Sequence, residues 1–346
     1  MTDTRLRGLE TRPLRGRSST RGPRRWWVIA GIALLAAIAL ARVLSPVPGG
    51  LLPDRLQDGI TLAISVLVES MPFVVLGIVF SILVRVWMPE AWLVRVLPRN
   101  PWLRRMVISL IGMFLPVCEC GNVPLARGLM VRGLTVAESM TFLFAAPIIN
   151  PITIITTHQA FGFDDGILVA RLGGGFLIAN LLGWVFSRHP QPDQLLTARF
   201  AAECRLPAHD ESGSRLDRSI RLFGRESAAL LPALFVGSMA AALVQTAVPR
   251  DVLVTLGSDP VWSIVAMIGL AFVISVCSNV DAFFILPFAS TFLPGSIVTF
   301  LLFGAMLDIK MIALLRTTFT TRTLVQLGAI IVLASAAIGW GVNLVA

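Results

Sequence analysis

Apolar residues dominate nine stretches of this chain, and short polar, Pro-containing or Arg-containing segments separate them. An α-helix needs about 20 apolar residues to cross roughly 30 Å of lipid hydrocarbon, and most of the stretches reach that length, although two are short. The pattern predicts an all-α, polytopic membrane protein. The stretches cover residues 26–45, 60–86, 104–117, 135–157, 167–187, 227–248, 261–276, 296–315 and 324–345.

Two polar segments interrupt this apolar background far apart in the sequence. One is Cys118–Pro124 (CECGNVP), and the other is Cys277–Asp281 (CSNVD). Hydrocarbon cannot hydrogen-bond polar groups, and a carboxylate at the bilayer centre costs about 3 kcal/mol or more. Two similar polar segments at membrane depth therefore predict two halves of one functional site.

Loop charges give the segments a direction, because short loops rich in Lys and Arg stay in the cytoplasm. The Arg-rich tail 1–25 is predicted to be cytoplasmic, and the N-terminal helix 26–45 leads out of the cytoplasm. The basic segment 188–225 lies inside only if residues 104–130 enter the membrane from the cytoplasm and return without crossing it. The loop charges therefore predict a re-entrant hairpin at 104–130.

Each polar segment is predicted to be the bend of one re-entrant hairpin. In the first, Gly121 and Pro124, followed by Gly128, would allow a sharp turn, because they relax the backbone or remove a hydrogen-bond donor. In the second, residues 261–276 enter from the other side, bend at Cys277–Asp281 and return by Pro294.

Residues 58–188 and 221–346 are predicted to be inverted repeats, each with three spanning helices and one re-entrant hairpin. Pro72 and Gly77 have the same spacing as Pro232 and Gly237, and Cys120-Gly-Asn-Val is matched by Cys277-Ser-Asn-Val. Inverted repeats with broken helices near the midplane are typical of secondary transporters. The linker 189–220 is polar and contains several Pro residues, so it is interpreted as a flexible cytoplasmic connection.

Composition supports the membrane prediction and excludes other classes. The chain is 55% hydrophobic and 14% charged, with a mean hydropathy of +0.80. Its net charge of +9 comes from residues that flank apolar segments, so the expected partner is the lipid bilayer and not nucleic acid. There is no nucleotide-binding motif, the His spacing fits no zinc enzyme, and we expect no cofactor.

Three of the four cysteines lie in the polar segments and are candidate ligands for a soft metal or metalloid. Thiolates favour thiophilic centres, so Cys118, Cys120 and Cys277 predict a site for trivalent arsenic or a soft metal ion. Free cysteines are also common as small buried apolar residues. Cys204, in the linker, is assigned to that class.

Carboxylates and amides accompany these thiols and complete the predicted substrate site. A carboxylate there could ligate a cation, neutralise it or exchange a proton. Asn150 lies between two prolines that would interrupt a spanning helix and free backbone carbonyls. The predicted substrate-binding residues are Cys118, Glu119, Cys120, Asn122, Asn150, Cys277, Asn279, Asp281 and Asp308.

Three further charged residues lie in apolar stretches. Glu69 is interpreted as a buried acid and a candidate for coupling transport to protons, and Lys310 is a second coupling candidate. Lys310 is expected to reach the membrane edge or to pair with another carboxylate; its spacing from Asp308 would place the two on different faces of a helix. Arg171, before three glycines, is interpreted as an interfacial charge beside closely packed helices.

With these residues in view, the chain resembles the YraQ-like family of predicted permeases, to which the ArsP-like efflux permeases for trivalent organoarsenicals belong. The resemblance covers roughly 60–345. It is carried by CECGNVP from Cys118, AAPIINP from Ala145, CSNVDAF from Cys277 and GAMLDIK from Gly304. It implies an exporter in the bacterial inner membrane, with Cys118 and Cys120 as ligands for a thiophilic cargo.

The cargo and two other functional classes stay open at this point. Glu119 and Asn122 resemble the broader permease branch more than the characterised arsenical exporters, so a divalent metal or another small solute is an alternative cargo. A membrane thiol oxidoreductase could pass electrons through Cys120 and Cys277, although it would leave the carboxylates unexplained. A scaffold without transport activity would tolerate substitution of all these residues. A second subunit or a homodimer is also left open.

Overall fold

The computed structural model describes residues 54–88, 97–114, 118–163, 166–205, 214–247 and 259–345. The predicted basic tail 1–25 and N-terminal helix 26–45 lie outside the described residues. Within the described residues the chain is built from α-helices with short 3₁₀ and π segments, so the all-α prediction is confirmed.

Thirteen α-helices make up the described part of the chain. They are α1 (Asp54–Ile82), α2 (Pro101–Ile111), α3 (Glu119–Val131), α4 (Val136–Ala145), α5 (Pro151–Phe161), α6 (Ile167–Ser187), α7 (Ala198–Arg205), α8 (Arg215–Ala247), α9 (Pro260–Ile274), α10 (Asp281–Ile285), α11 (Pro294–Met306), α12 (Ile309–Leu315) and α13 (Thr321–Val345). A π segment, Leu83–Trp87, extends α1.

Five helical stretches in the described residues are long and apolar enough to cross a membrane. The membrane location predicted from hydropathy agrees with them. Two shorter apolar helices, α4 and Val261–Ile274 within α9, lie among them. The five stretches are Gln57–Trp87, Ile167–Ser187, Arg215–Thr246, Pro294–Leu315 and Thr321–Val345.

Two apolar stretches are broken in the middle, and the first break lies beside Asn150, where the flanking prolines predicted an interruption. Between α4 and α5 the chain is extended at Asn150, whose side chain accepts a hydrogen bond from the Ile152 N–H at 2.9 Å and so caps α5. Between α11 and α12, Asp308 is extended and caps α12 by accepting from the Met311 N–H at 2.6 Å. Both breaks place a polar N-cap inside apolar sequence, where it satisfies orphan backbone donors.

The second polar segment is a break in the helix, as predicted. Helix α9 ends at Ile274, Ser275 adopts a left-handed conformation (φ 51°), and α10 begins at Asp281. The predicted bend at Gly121 and Pro124 is wrong. Both residues lie inside α3, and Cys118 is the N-cap of that helix.

The glycines of α3 serve helix packing and not a bend. Helices α1 and α3 approach so closely that a methyl group at Gly77 would overlap the carbonyl group of Gly121, and one at Gly128 would meet Ser81. Small residues allow such contacts between membrane helices, where packing replaces the hydrophobic effect as the driving force. Gly237 in α8 lies in the same way against the backbone of Lys310 in α12.

Gly77→Ala is therefore expected to destabilise the fold by about 1–3 kcal/mol, because a helix-favouring methyl group has no room beside the Gly121 backbone. The matched control is Gly173→Ala in α6, where a methyl group meets nothing within 4 Å. The free energy of unfolding of that variant should be unchanged or up to about 1 kcal/mol higher, because alanine lowers the conformational entropy of the unfolded chain. Thermal unfolding of both variants in detergent measures the contrast, and equal melting temperatures would contradict it.

The linker is not a flexible connection over residues 192–205. A 3₁₀ turn, Pro192–Leu195, leads into α7, and Leu196 forms a β-bridge with Phe319. The Thr197 N–H donates to the Thr318 carbonyl at 2.9 Å, and the Thr320 N–H donates to the Leu195 carbonyl at 3.0 Å. These paired backbone groups hold the linker against the turn between α12 and α13.

Four charged residues anchor α7 to the helices around it, and we call them the linker ion cluster: Arg85, Arg127, Glu203 and Glu226. Glu226 in α8 accepts from Arg85 at 2.7 Å and from Arg127 at 3.0 Å. Glu203 in α7 binds the same two arginines at 2.8 and 3.3 Å. Arg127 also lies over the ring of buried Phe200, 4.1 Å from its centroid. The cluster ties α1, α3, α7 and α8 together.

Cys204, next to this cluster, agrees only in part with its interpretation as a small buried apolar residue. It is half-buried in α7. Its burial, assisted by the charge of Glu203, raises the pKa of the Cys204 thiol to about 11. At neutral pH it is therefore a protonated thiol, which is a poor nucleophile and a poor metal ligand.

Candidate functional site

The breaks in the helices converge on one buried region, which is the candidate site. Contacts between side chains join the start of α3 to the turn before α10 and to the start of α12. Helix α5 reaches the same turn through the hydroxyl of Thr153, which donates to Asn279 at 3.3 Å. Residues far apart in the sequence, including both polar segments, are thereby brought together.

Three thiols meet in this region, and we call them the three-cysteine cluster: Cys118, Cys120 and Cys277. The sulfur atoms of Cys118 and Cys120 and a carboxylate oxygen of Glu119 all lie within 4.8 Å of one another. The sulfur of Cys277 lies 3.8 Å from Oε2 of Glu119, so the third thiol adjoins the same carboxylate. The exposed fractions of the three cysteines are at most 3%. This donor set suits a thiophilic ion, because two sulfur ligands and one carboxylate oxygen can reach one point, with the thiol of Cys277 beside the same carboxylate.

Glu119 connects this cluster to both halves of the chain. Its Oε2 accepts hydrogen bonds from the Ser278 hydroxyl at 3.0 Å and the Ser278 N–H at 3.4 Å, and lies 3.8 Å from the sulfur of Cys277. Its Oε1 is 3.3 Å from the Nζ of Lys310. A carboxylate that is 1% exposed is thus stabilised by one cation and three donors.

Lys310 is buried between two carboxylates and does not extend to the membrane edge. Its Nζ lies 3.3 Å from Glu119 and 3.7 Å from Oδ2 of Asp308. Pairing with another carboxylate was one of the two expectations, and Glu119 is that partner. The expectation that Lys310 and Asp308 point to different helix faces is wrong, because Asp308 precedes the helix as its N-cap.

Arg171 is a component of this region that the sequence interpretation missed. It is fully buried, and its Nη2 donates to Oδ2 of Asp281 at 2.6 Å and to the Ser278 carbonyl at 3.3 Å. Its Nη1 donates to Thr157 at 2.7 Å. The interpretation of Arg171 as an interfacial charge is therefore wrong. The missed signal was the residue itself, since an arginine within a spanning segment is costly and marks a functional or structural pair.

The amide side chains play different parts. Asn150 is buried and caps α5, and Asn279 accepts from Thr153. Asn122, one turn into α3, is completely buried, and neither its Oδ1 nor its Nδ2 has a hydrogen-bond partner among the described residues. An unsatisfied buried amide is costly, so its presence beside the three-cysteine cluster favours a ligand that completes it.

Glu69 does not belong to this region. The prediction of a buried acid is wrong, because Glu69 is exposed on the outer face of α1, as is its neighbour Val68. The opposite face of the helix, with Val74, Gly77 and Ile78, packs inward. An apolar face toward lipid and an apolar face toward the core cannot be told apart from composition.

The candidate site has one more carboxylate than it has cations. Glu119, Asp281 and Asp308 are its acids, and Arg171 and Lys310 are its bases, all of them buried. Arg171 pairs with Asp281, so Lys310 is shared by the two remaining carboxylates. A buried carboxylate with only a shared cation is stabilised by a further positive charge. The site is electrostatically suited to a cation.

Comparison with known proteins places these residues within a family. The family model described as a predicted permease, ArsP_1, matches residues 55–344. The UPF0718 protein YcgR of Bacillus subtilis is 34% identical over 264 residues, covering 75% of this chain and 88% of that protein. A putative two-component membrane permease complex subunit of Streptococcus mutans is 30% identical over 282 residues, covering 80% of this chain and 91% of that protein.

A shorter match supports the same assignment. The UPF0718 protein YraQ of Escherichia coli is 25% identical over 108 residues, which are 31% of each protein. No solved structure matches the chain. The resemblance to the YraQ-like predicted permeases is confirmed by the family model and by these relatives. With the family model covering nearly all of the described helices, the chain belongs to the ArsP_1 family of predicted membrane permeases.

Proposed function

We propose that this protein is a secondary permease of the bacterial inner membrane that exports a small thiophilic solute by alternating access. The cargo is a soft metal ion or a trivalent organoarsenical. The observation that carries the proposal is the three-cysteine cluster beside Glu119, buried where broken helices meet. Two soft sulfur donors and a carboxylate, with a third thiol beside that carboxylate, form a donor set for a thiophilic cation.

The proposal includes two inverted repeats, residues 58–188 and 221–346, as the basis of alternating access. Asn150 and Asp308 occupy matching positions, each capping the second half of a broken helix. Gly77 and Gly237 occupy matching positions as well, each allowing a close helix contact. Two equivalent units of opposite orientation around a central site can open it to either side in turn. The N-terminus is cytoplasmic in this arrangement.

A second subunit is part of the proposal. The relative from Streptococcus mutans is named as a subunit of a putative two-component membrane permease complex. In this chain, Glu69 projects from the outer face of a spanning helix. A carboxylate facing lipid is costly, so a partner subunit that covers this face of α1 would stabilise it.

The structure does not favour the thiol oxidoreductase alternative. The family model is described as a predicted permease, and the relative from Streptococcus mutans is named as a membrane permease subunit. Thiol exchange would also leave unexplained the buried Glu119, Lys310 and Asp308, which form ion pairs beside the thiols. The ion pairs around the cluster have a role in binding a cation and none in thiol exchange.

Transport of Cd²⁺ by proteoliposomes tests the proposal. Cys120→Ser is expected to lower Cd²⁺ affinity and uptake by about tenfold or more, since a hard hydroxyl replaces a soft ligand. The matched control is Cys204→Ser, which changes a cysteine outside the cluster and should behave as the unmodified protein. Equal Cd²⁺ binding and uptake by both variants would show that the three-cysteine cluster does not bind the transported ion.

A growth panel identifies the cargo class. Cells with and without the protein are compared for sensitivity to arsenite, methylarsenite, zinc and cobalt. Protection against one thiophilic compound, lost with Cys120→Ser but kept with Cys204→Ser, is the expected result. Protection that both variants retain would show that the cysteines are not the ligands.

A further inference from the structure

Lys310 occupies the position that a positively charged cargo would need. Its Nζ lies 3.3 Å from Oε1 of Glu119, the carboxylate that adjoins the three-cysteine cluster. Glu119 and Lys310 are each 1% exposed, so no bulk water stabilises either charge. In the absence of cargo, Lys310 is the cation that compensates Glu119.

A cationic cargo would bind Glu119 and the thiols, which release their protons to water as they become thiolate ligands, and it would compete with Lys310 for the same carboxylate. Two positive charges on one carboxylate, in a region of low dielectric constant, repel each other strongly. Binding of such a cargo therefore weakens the attraction between Glu119 and Lys310 and favours transfer of Lys310 to another carboxylate. A neutral thiophilic compound exerts no such repulsion and can bind with Lys310 in place.

Asp308 provides the second resting place for the lysine. Its Oδ2 lies 3.7 Å from Nζ and has no hydrogen-bond partner among the described residues. Its other oxygen, Oδ1, accepts from the Met311 N–H at 2.6 Å, which holds the carboxylate in place at the start of α12. A small movement transfers the ammonium group from Glu119 to Asp308 and leaves no buried charge without a partner.

We propose that Lys310 is a tethered counter-ion, which binds Glu119 in the empty site and moves to Asp308 when a cationic cargo binds. The inference rests on the proposed function and narrows its cargo to thiophiles that carry positive charge. It also gives cargo binding a mechanical consequence. The Glu119–Lys310 pair joins α3 to α12, and transfer of the lysine to Asp308, the N-cap of α12, releases that connection.

Cd²⁺ titration of the purified full-length chain in detergent tests this inference through variants with opposite expected effects. Lys310→Met removes the competing cation and is expected to tighten Cd²⁺ binding by about tenfold, a typical size for coupling between two sites. Asp308→Asn removes the second resting place and is expected to weaken Cd²⁺ binding severalfold. The asparagine keeps the helix cap, as Asn150 does in the other half of the chain.

Two additional measurements separate this role from a structural one. The double variant Asp308→Asn/Lys310→Met retains the net charge of the unmodified site. It therefore shows whether Lys310→Met changes Cd²⁺ binding only because the altered charge causes misfolding. We expect the double variant to bind Cd²⁺ as tightly as Lys310→Met. Neutral methylarsenite should bind all variants with nearly equal affinity, because it does not compete with Lys310 for Glu119. In proteoliposomes, both single variants should slow Cd²⁺ transport.

The outcomes distinguish this inference from the proposed function. Opposite shifts in Cd²⁺ affinity, with methylarsenite unaffected, support the tethered counter-ion. The inference is overturned if Lys310→Met and Asp308→Asn both weaken Cd²⁺ binding, or if neither variant changes it. The proposed function still stands in that case, provided that Cys120→Ser abolishes Cd²⁺ binding. If Cys120→Ser leaves Cd²⁺ binding intact, both are overturned.

Discussion

Replacing Glu226 by alanine is expected to lower the free energy of unfolding by about 3–5 kcal/mol. The carboxylate binds Arg85 at 2.7 Å and Arg127 at 3.0 Å, and its side chain is 2% exposed. Without it, two buried guanidinium groups share Glu203 alone, and one of them loses most of its compensation. Unfolding by denaturing detergent, followed by circular dichroism, measures the loss.

A matched control exists within the linker. Asp193 and Arg205 form an ion pair at 2.5 Å, but their side chains are 62% and 70% exposed. Asp193→Ala breaks an arginine–carboxylate pair of similar geometry in water, where such pairs contribute little, so no measurable change is expected. If Glu226→Ala and Asp193→Ala lowered the free energy of unfolding by similar amounts, burial would not be the reason that the linker ion cluster stabilises the fold.

The second large effect concerns the pair between Arg171 and Asp281. Asp281→Asn leaves a fully buried guanidinium without its carboxylate, and Arg171→Met leaves a buried carboxylate without its cation. Each single variant is expected to lose about 3–5 kcal/mol of stability, whereas the double variant should recover most of it. The same detergent unfolding measures all three variants.

The double variant also separates the structural role of Asp281 from a role in transport. Oδ1 of Asp281 has no hydrogen-bond partner among the described residues, so it is available to a passing cargo. We expect Arg171→Met/Asp281→Asn to fold and insert but to transport Cd²⁺ poorly. Full transport by the double variant would limit Asp281 to holding Arg171. Double-variant stability no higher than that of the single variants would show that the two residues are not coupled.

Some features of the site could be predicted because they are local chemical signals. Cysteines and carboxylates inside apolar sequence are rare enough to indicate a site, and the structure brings Cys118, Cys120 and Cys277 close to Glu119. Asn150 between two prolines indicated a helix break, and the structure has a break that follows Ala145 and ends at Asn150. In each case the cost of a polar group at membrane depth restricts the residue to few roles.

Other features depended on which side chains meet, and local patterns do not contain that information. Lys310 reaches Glu119 across 191 positions of sequence, and Arg171 reaches Asp281 across 110. Gly121 and Pro124 were assigned to a bend because both residues favour one, but the close approach of α1 makes the glycine a packing residue. The linker was assigned as flexible from its composition, although buried ion pairs hold α7 in place.

The sequence by itself determined that this is a helical membrane protein, where its apolar segments lie and which two polar segments interrupt them. Hydrophobicity over about 20 residues is a local property, and so is the cost of a buried polar group. Only the tertiary structure decided which face of each helix is buried and which acid pairs with which base. Lipid and the protein interior are both apolar, so helix faces carry no compositional label. Glu69 outside and Arg171 inside show the consequence.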